Sequence, residues 1–395
     1  MPTAYAEPNT APERPDRRLD ILRIWQQLML FGFAATILLS LYIFRGDILN
    51  AYAVYRASVQ LEETQPDSRI NFEPDSSNIF DLYGNNLAVL NQGTYTLYTP
   101  GGEEQFSMQY ISANPALSVS EAYVCLYSRD STTLTVTERT AEVGRITVSG
   151  GILDAAQNDA GMIVIVHNDD RYRSVVSVYN RSLDLCYEWK TSEYYVQTAA
   201  LSPDGRTIAV AALAQDDAVF ITRVITFKLA EDNYNSVCDL PETIITDLTF
   251  LGNGAVCAVG DARACIIDLN GNIRYEYNYG GNRLRTCDYD NTACVLSVVD
   301  RTSGLASYLV SLTADAEPIV VATDEIRWID INNGYVALLY TDSVEVRDTS
   351  LRTLSQPVTV YNVRRVYMTA AGKALLIYTS EAGIVDLVTP FLNRS

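Results

Sequence analysis

Residues 200–212, ALSPDGRTIAVAA, place a Pro-Asp-Gly turn between two apolar stretches. Pro203 has a backbone angle suited to the first corner of a turn, and Gly205 tolerates a positive φ. Asp204 can accept hydrogen bonds from the backbone of such a turn. The flanking Ala, Val, Leu and Ile are typical of short strands. The stretch therefore predicts a β-hairpin, and it assigns Asp204 a role in the turn rather than in catalysis.

The hairpin pattern recurs along the chain after residue 69. Other copies begin at Asn78, Pro115, Ile152, Ile245, Arg283, Ile326 and Val366. A second strand–turn–strand unit follows each copy, most plainly in CIIDLNGNIRYEYN, residues 265–278. Its equivalent apolar positions lie 36 to 49 residues apart, at Leu97, Val136, Val178, Phe227, Ile267, Val310, Val346 and Val385. A four-stranded unit repeated about every 40 residues is typical of a β-propeller blade.

The repeats predict an all-β fold, an eight-bladed β-propeller of four-stranded antiparallel blades over residues 66–391, with seven blades also possible. The last copy, residues 383–390, has no fourth strand, whereas RINFEP, residues 69–74, is a strand without a blade. We expect the N-terminal strand 69–74 to pair with residues 383–388. This pairing would close the ring and remove its free sheet edges.

The N-terminal region predicts a single transmembrane helix before the propeller. Residues 1–18 are rich in Pro, Ala and charge and read as a disordered cytoplasmic tail. Residues 24–44 contain no charge and are long enough to cross a bilayer, within a helix and stalk over 19–64. Four Arg precede this span and only Arg45 and Arg56 follow closely, which favours a cytoplasmic N-terminus and an extracytoplasmic propeller.

A cleaved signal peptide is the alternative, because Ala51-Tyr52-Ala53 is similar to a cleavage site. The apolar stretch is longer than that of most signal peptides, and Arg45 and Asp47 would lie just before the cut. We therefore favour a retained anchor in the cell membrane, in contact with lipid through one helix.

The repeats also carry a resemblance. LSPDGRTIAVA resembles repeats of bacterial tryptophan–aspartate-like propellers, and VYNRSLDLCYEW and IIDLNGNIRYEY resemble those of quinoprotein-type propellers. The whole chain resembles an uncharacterised family of membrane-anchored bacterial β-propeller proteins. This resemblance implies a fold and a location but no activity, since many functions share propeller repeats.

Composition and motifs predict no catalytic, cofactor-binding or metal-binding residue. The net charge of −19 argues against nucleic-acid partners. The single histidine, His167, ends a predicted strand and cannot build a multi-histidine metal site. Residues 268–272, DLNGN, begin like a calcium loop but lack its later Glu, so we interpret them as a turn. Neither a phosphate-binding loop nor a complete set of quinone-binding residues occurs.

Two functions remain open. We favour a non-enzymatic interaction or scaffold module that binds a protein or an envelope polymer, with Tyr194 and Tyr195 as candidate recognition residues among 26 tyrosines. The alternative is an extracytoplasmic glycan hydrolase or lyase that uses carboxylates in the propeller channel.

Seven cysteines fall in predicted strands, at positions 125, 186, 238, 257, 265, 287 and 294. Hairpin turns at 260–262 and 290–291 would place Cys257 opposite Cys265 and Cys287 opposite Cys294. Directly opposed strand residues lie close together for a relaxed disulfide. We therefore expect mostly free, buried thiols, with these two pairs as the possible bridges.

Overall fold

The computed structural model describes residues 69–216, 219–231, 233–301, 307–369 and 372–388, together with Met29. These residues form eight antiparallel sheets of four strands each. The predicted eight-bladed propeller is therefore confirmed, and the seven-bladed option is excluded.

The first strand of the propeller, β1, covers Arg69–Asn71, and the first four blades follow it. Their strands are β2 (Ile79–Tyr83), β3 (Asn86–Leu90), β4 (Thr94–Tyr98) and β5 (Glu104–Gln109) in blade 1; β6 (Pro115–Val119), β7 (Val124–Ser128), β8 (Thr133–Glu138) and β9 (Ala141–Thr147) in blade 2; β10 (Ile152–Gln157), β11 (Ile163–His167), β12 (Ser174–Tyr179) and β13 (Leu185–Thr191) in blade 3; β14 (Tyr195–Leu201), β15 (Thr207–Asp216), β16 (Val219–Lys228) and β17 (Tyr234–Pro241) in blade 4.

The remaining blades continue in chain order, and β1 supplies the last strand of blade 8. Their strands are β18 (Ile245–Leu251), β19 (Ala255–Gly260), β20 (Arg263–Asp268) and β21 (Ile273–Asn278) in blade 5; β22 (Arg283–Tyr289), β23 (Ala293–Val299), β24 (Ser307–Thr313) and β25 (Ala316–Thr323) in blade 6; β26 (Trp328–Asn332), β27 (Tyr335–Leu339), β28 (Ser343–Asp348) and β29 (Val358–Thr359) in blade 7; β30 (Arg365–Met368), β31 (Ala374–Ile377) and β32 (Glu381–Val385) in blade 8.

The hydrophobic core is divided into layers, each lying between two neighbouring blades. Eight clusters of buried side chains join blades 1–2, 2–3, 3–4, 4–5, 5–6, 6–7, 7–8 and 8–1. The repeat positions read from the sequence all lie on the third strand of a blade and are at most 8% exposed. Because each blade packs against both of its neighbours, the ring is closed.

The widest repeat spacing, 49 residues between Val178 and Phe227, has a structural cause in blade 4. Its strands β15 and β16 each have ten residues and pair from Thr207–Lys228 to Asp216–Val219. The flanking strands pair only as far as Leu213 and Ile221, so the hairpin extends beyond the rest of its blade.

The turn in the opening stretch forms as predicted. The Gly205 N–H donates to the Ser202 carbonyl at 2.9 Å, and Gly205 has a φ of +66°. Asp204 Oδ1 accepts hydrogen bonds from the Ser202 hydroxyl at 2.7 Å and the Arg206 N–H at 3.1 Å. Asp204 therefore holds the turn.

The N-terminal strand β1 pairs antiparallel with β32, with Arg69, Ile70 and Asn71 opposite Gly383, Ala382 and Glu381. The Phe72 N–H continues the pairing to the Ser380 carbonyl at 3.1 Å. The observed strand is thus shorter than the predicted strand 69–74. Its partner residues, 381–383, begin two residues before the predicted partner segment 383–388. Arg69 packs its carbonyl against Gly102, in the turn between β4 and β5.

The predicted tail, span and stalk, residues 1–64, lie outside the described residues apart from Met29, as do residues 389–391. Within the described part of the chain, no helix has the length and apolar character needed to span a membrane.

The cross-strand placement expected for the two cysteine pairs is wrong, because the register differs from the predicted one by one residue in the first hairpin and by two residues in the second. Cys257 pairs with Ile266, and Cys265 pairs with Ala258. Cys287 pairs with Leu296, and Cys294 pairs with Tyr289. All seven cysteines lie in strands as expected and are free; five are buried, Cys287 is half-buried and Cys186 is exposed.

Candidate functional site

The first strands of all eight blades line one central channel with a volume of about 1650 Å³. We call the end with the turns between first and second strands the turn face, and the end with the blade-to-blade connections the loop face. The lining runs from Asp159 and Asn291 at the turn face to Ser77, Asn114 and Tyr195 at the loop face. The channel therefore extends along the full length of the inner strands.

The channel narrows at the turn face. The side chain of Asn291, in the turn of blade 6, donates to Asp159 Oδ2 of blade 3 at 3.4 Å. The Gly252 N–H of blade 5 donates to the Asn291 carbonyl at 2.8 Å, and the Glu121 N–H of blade 2 donates to Asp159 Oδ1 at 3.1 Å. These contacts link turns from four blades, so the loop face is the wider entrance for a ligand.

Aspartates dominate the charge of the channel wall. Its lining includes eight aspartates but only two arginines, Arg129 and Arg365. Five of the aspartates lie on first strands and are half-buried: Asp81, Asp154, Asp247, Asp288 and Asp330. The channel therefore repels anions and favours neutral or cationic groups.

Three of these aspartates connect neighbouring blades. Asp288 Oδ2 accepts the Ile331 N–H at 2.7 Å, and Asp330 Oδ2 accepts the Met368 N–H at 2.6 Å. Asp154 Oδ2 accepts the Thr198 hydroxyl at 2.7 Å. Inner strands have no strand partner on the channel side, so these carboxylates satisfy groups that would otherwise face it.

Burial and mutual repulsion hold several of these carboxyl groups near protonation. Burial raises the pKa of Asp288 to about 7, and the charges of Asp81 and Asp290 add to the rise. Burial raises the pKa of Asp81 to about 6, although the Leu82 N–H and Arg365 oppose it. Burial also raises the pKa of Asp330 well above its ordinary value, with Asp288 adding to the effect. A carboxyl group with a pKa near 7 can exchange protons at neutral pH.

An aromatic cradle beside Asp81 holds the cation Arg365. Its guanidinium lies 4.6 Å from the ring centre of Trp328 and 5.7 Å from that of Phe80. The Tyr367 hydroxyl donates to the Phe80 carbonyl at 2.7 Å and so joins blade 8 to blade 1. The channel wall thus already accommodates a cation between aromatic rings.

His167 lies away from the channel lining, at the end of β11, and is 2% exposed. Its Nδ1 donates to the Asn168 carbonyl at 2.9 Å, which leaves Nε2 to accept the Ser177 hydroxyl at 3.1 Å. Burial lowers the pKa of His167, so the ring is neutral at pH 7. His167 is therefore a buried histidine with both ring nitrogens hydrogen-bonded, and it lies at the end of a strand as predicted.

Residues 268–272 form the predicted turn. Asp268 Oδ1 accepts the N–H groups of Asn270 and Asn272, each at 2.9 Å. Both bonds lower the pKa of Asp268, and the bond from Asn272 has the larger effect. Among the described residues, no group of three or more His, Cys, Asp or Glu side chains could hold a metal ion.

Tyr194 and Tyr195 lie at the junction of blades 3 and 4, on the loop face. The Tyr194 hydroxyl accepts a hydrogen bond from Arg223 at 3.0 Å. Tyr195 is 54% exposed, and its ring lies 5.0 Å from the Arg173 guanidinium. Tyr195 also lines the channel, so it is available to a ligand, whereas Tyr194 is engaged within the fold.

Large apolar side chains are exposed at the loop face. Ile111 and Tyr361 lie in blade-to-blade connections and are 86% and 76% exposed. Phe220 near the tip of the long hairpin of blade 4, Ile244 in the next connection and Tyr195 are also exposed. We define these five residues as the apolar rim. All five lie at the same end of the propeller, where they are accessible to a partner.

Sequence reasoning missed the channel aspartates, although their signal was present. The first strands of blades 1, 3, 5 and 7 read IFD, ILD, ITD and WID, and that of blade 6 ends CDY. An aspartate at the same place in an apolar strand of several repeats indicates a shared position on the channel wall.

Comparisons with known proteins agree with this fold. The model described as "Family of unknown function (DUF5711)" matches residues 59–382, and the chain belongs to this family. The crystal structure of the C-terminal WD40 domain of Sif2 matches with a TM-score of 0.56 and 12% identity, covering 82% of this chain and 98% of that chain. A search of curated proteins finds no match. At this identity the structural likeness shows the β-propeller fold alone.

Proposed function

We propose that this protein is a non-enzymatic interaction module that binds a protein or an envelope polymer at its loop face. The apolar rim is the observation that carries the proposal, because its five exposed side chains all lie at the loop face, the wider end of the channel. Aromatic side chains such as Tyr195, Phe220 and Tyr361 supply contact area at little entropic cost. The acidic channel and the net charge of −19 favour a partner that is neutral or basic where it meets this face.

The proposal includes a location. The uncharged residues 24–44 and the excess of arginine before them support a retained helix that anchors the protein in the cell membrane. The propeller then lies outside the cytoplasm. Arg69, at the start of β1, lies beside the turn between β4 and β5, at the turn face.

We expect protease added to intact protoplasts to digest the propeller and leave a small fragment in the membrane. The positive-inside distribution of arginine is the physical reason. Immunoblotting against tags at both termini reads the result, and protoplasts lysed with detergent provide the control. Complete protection of the propeller in intact protoplasts would contradict the proposed orientation.

A triple variant in which Ser replaces Ile111, Phe220 and Tyr361 should show at least a tenfold reduction in cross-linking to the partner in intact cells. Loss of three aromatic or aliphatic anchors costs roughly 1 kcal/mol or more each. The control replaces Leu185 and Tyr234, which are 51% and 64% exposed but lie at the start of outer strands on the turn face. Equal loss of cross-linking in both variants would place the interface elsewhere.

The channel carboxylates favour one second candidate, a glycan hydrolase or lyase. Asp288 and Asp330 lie on neighbouring inner strands, and a carboxyl group with a pKa near 7 suits a general acid. This candidate predicts cleavage products when purified protein meets envelope glycans, and their loss in Asp288→Asn and Asp330→Asn. Cross-linking at the apolar rim with no cleavage products would favour the interaction module.

A further inference from the structure

The apolar rim consists of two groups on opposite sides of the ring. Ile111 lies between blades 1 and 2 and Tyr361 lies between blades 7 and 8, so this pair flanks blades 8 and 1. Tyr195, Phe220 and Ile244 lie in blade 4 or in the connection that follows it. In a ring of eight blades, blades 1 and 5 lie opposite each other, as do blades 8 and 4. A segment that crosses the mouth of the channel can therefore contact both groups.

The channel aspartates form a level a short way inside this mouth. Four of them are each the third residue of an inner strand that begins at the loop face: Asp81, Asp154, Asp247 and Asp330. At about 3.3 Å per residue, two residues of strand place this level roughly 7 Å inside the mouth. Asp288 lies at the same level, because its carboxylate accepts the N–H of Ile331, the residue after Asp330. A long side chain that points inward from the mouth can reach these carboxylates.

Two of these carboxylates accept only local hydrogen bonds, which do not join one blade to the next. Asp81 Oδ1 accepts the Leu82 N–H at 2.7 Å, and Asp247 Oδ2 accepts the Thr246 hydroxyl at 2.7 Å. Asp81 lies on blade 1 and Asp247 on blade 5, on the same two sides of the ring as the apolar groups. Burial raises the pKa of Asp81 only to about 6, so this carboxyl is mostly ionised at pH 7. A cation on the channel axis therefore has a carboxylate on each side.

We propose that the partner is a protein segment that crosses the mouth of the channel and inserts one lysine or arginine side chain between Asp81 and Asp247. Apolar side chains on both flanks of this cation contact the two groups of the rim. The inference rests on the proposed function and names the chemistry of its partner.

Complementary charge supports this choice of partner, since the channel lining holds eight aspartates and only two arginines. An anionic polymer would be repelled by the same carboxylates. A neutral glycan has no aliphatic side chains to pack against Ile111 and Ile244. A protein segment supplies both the cation and the apolar flanks.

The test places a photoreactive amino acid at position 197 in the full-length protein within living cells. Gln197 is an exposed residue of the channel lining, on the inner strand of blade 4. We expect position 197 to capture the same partner protein as positions 220 and 361 of the rim. Mass spectrometry of the adduct should place the linkage close to a lysine or arginine that has apolar neighbours on both sides.

Charge variants test the role of the two carboxylates. In the double variant Asp81→Asn/Asp247→Asn, the yield of the adduct at position 197 should fall at least about tenfold, because asparagine keeps the shape and removes the charge. The control, Asp184→Asn/Asp315→Asn, changes two exposed carboxylates in outer turns of the turn face and should leave the yield unchanged. Circular dichroism of each purified variant checks that the propeller is folded, and each single variant replaces the double variant if the latter is not.

The outcomes separate this inference from the proposed function. Adducts at positions 220 and 361 with none at 197 would overturn the inference and leave the interaction module intact. The same conclusion would follow from an adduct at 197 whose linked segment has no lysine or arginine, from a partner that is a polymer, or from equal yields in the two double variants. Absence of adducts at all three positions would contradict both the proposed function and the inference.

Discussion

Deleting residues 66–75 should lower the stability of the propeller by several kcal/mol and prevent stable folding at 37 °C. The deletion removes Ile70, which is 1% exposed, and Phe72, whose ring lies 5.1 Å from that of Phe80. Burial of each such side chain contributes roughly 2–3 kcal/mol. The deletion also leaves β32 as a free sheet edge, and the whole stability of a typical protein is about 5–15 kcal/mol. Thermal unfolding followed by circular dichroism measures the effect.

A milder variant keeps this prediction testable if the deletion does not fold. Ile70→Ala should cost about 2–4 kcal/mol, because it leaves a cavity in the layer between blades 8 and 1. Asn71→Ala, at the exposed neighbouring position of β1, should change stability by no more than about 0.5 kcal/mol. Equal effects at the two positions, or an unchanged melting temperature after the deletion, would contradict closure by β1.

Asp288→Asn should raise the stability of the propeller at pH 8 by about 1–2 kcal/mol and leave it nearly unchanged at pH 4. The pKa of Asp288 is raised to about 7 in the folded protein, chiefly by burial, and is about 3.9 in an unfolded chain. Between about pH 4 and 7, Asp288 therefore holds a proton in the folded protein that it has lost in the unfolded chain. The stability of the wild-type protein consequently falls as the pH rises through this range. Asparagine carries no charge to bury. A pKa difference of about three units between the folded and unfolded states corresponds to ~4 kcal/mol of stability. We expect a smaller gain because solvent partly screens the half-buried Asp288 carboxylate.

Asp204→Asn provides a control of opposite sign. The Ser202 hydroxyl, together with the Arg206 N–H, lowers the pKa of Asp204, so its ionised form stabilises the folded state at neutral pH and this contribution is lost as pH falls. Asp204→Asn should therefore reduce stability at pH 8. Denaturant titrations of both variants at pH 4, 6 and 8 give the comparison. A loss of stability in Asp288→Asn at pH 8 would show that its ionised carboxylate is needed where it lies.

The repeat pattern contained enough information to predict the fold. The apolar third-strand positions, from Leu97 to Val385, recur because every blade packs against two neighbours in the same way. The unpaired strand at Arg69 likewise pointed to the missing strand of the last blade. These features depend on the spacing of apolar residues, which sequence shows directly.

Contacts that depend on register or on neighbouring blades were harder to predict. A register shift of one residue separates Cys257 from Cys265, and a shift of two residues separates Cys287 from Cys294. The channel aspartates were visible as a repeated letter, but their raised pKa values arise chiefly from burial in the assembled ring, with a further rise from carboxylates on other blades.

The most direct test of the interaction module places a photoreactive amino acid at single positions in the full-length protein within living cells. Positions 220 and 361 on the apolar rim should give the same partner adduct after irradiation. Positions 185 and 234, similarly exposed at the turn face, should not give it. Adducts from positions 185 and 234 without any from 220 and 361 would contradict binding at the loop face.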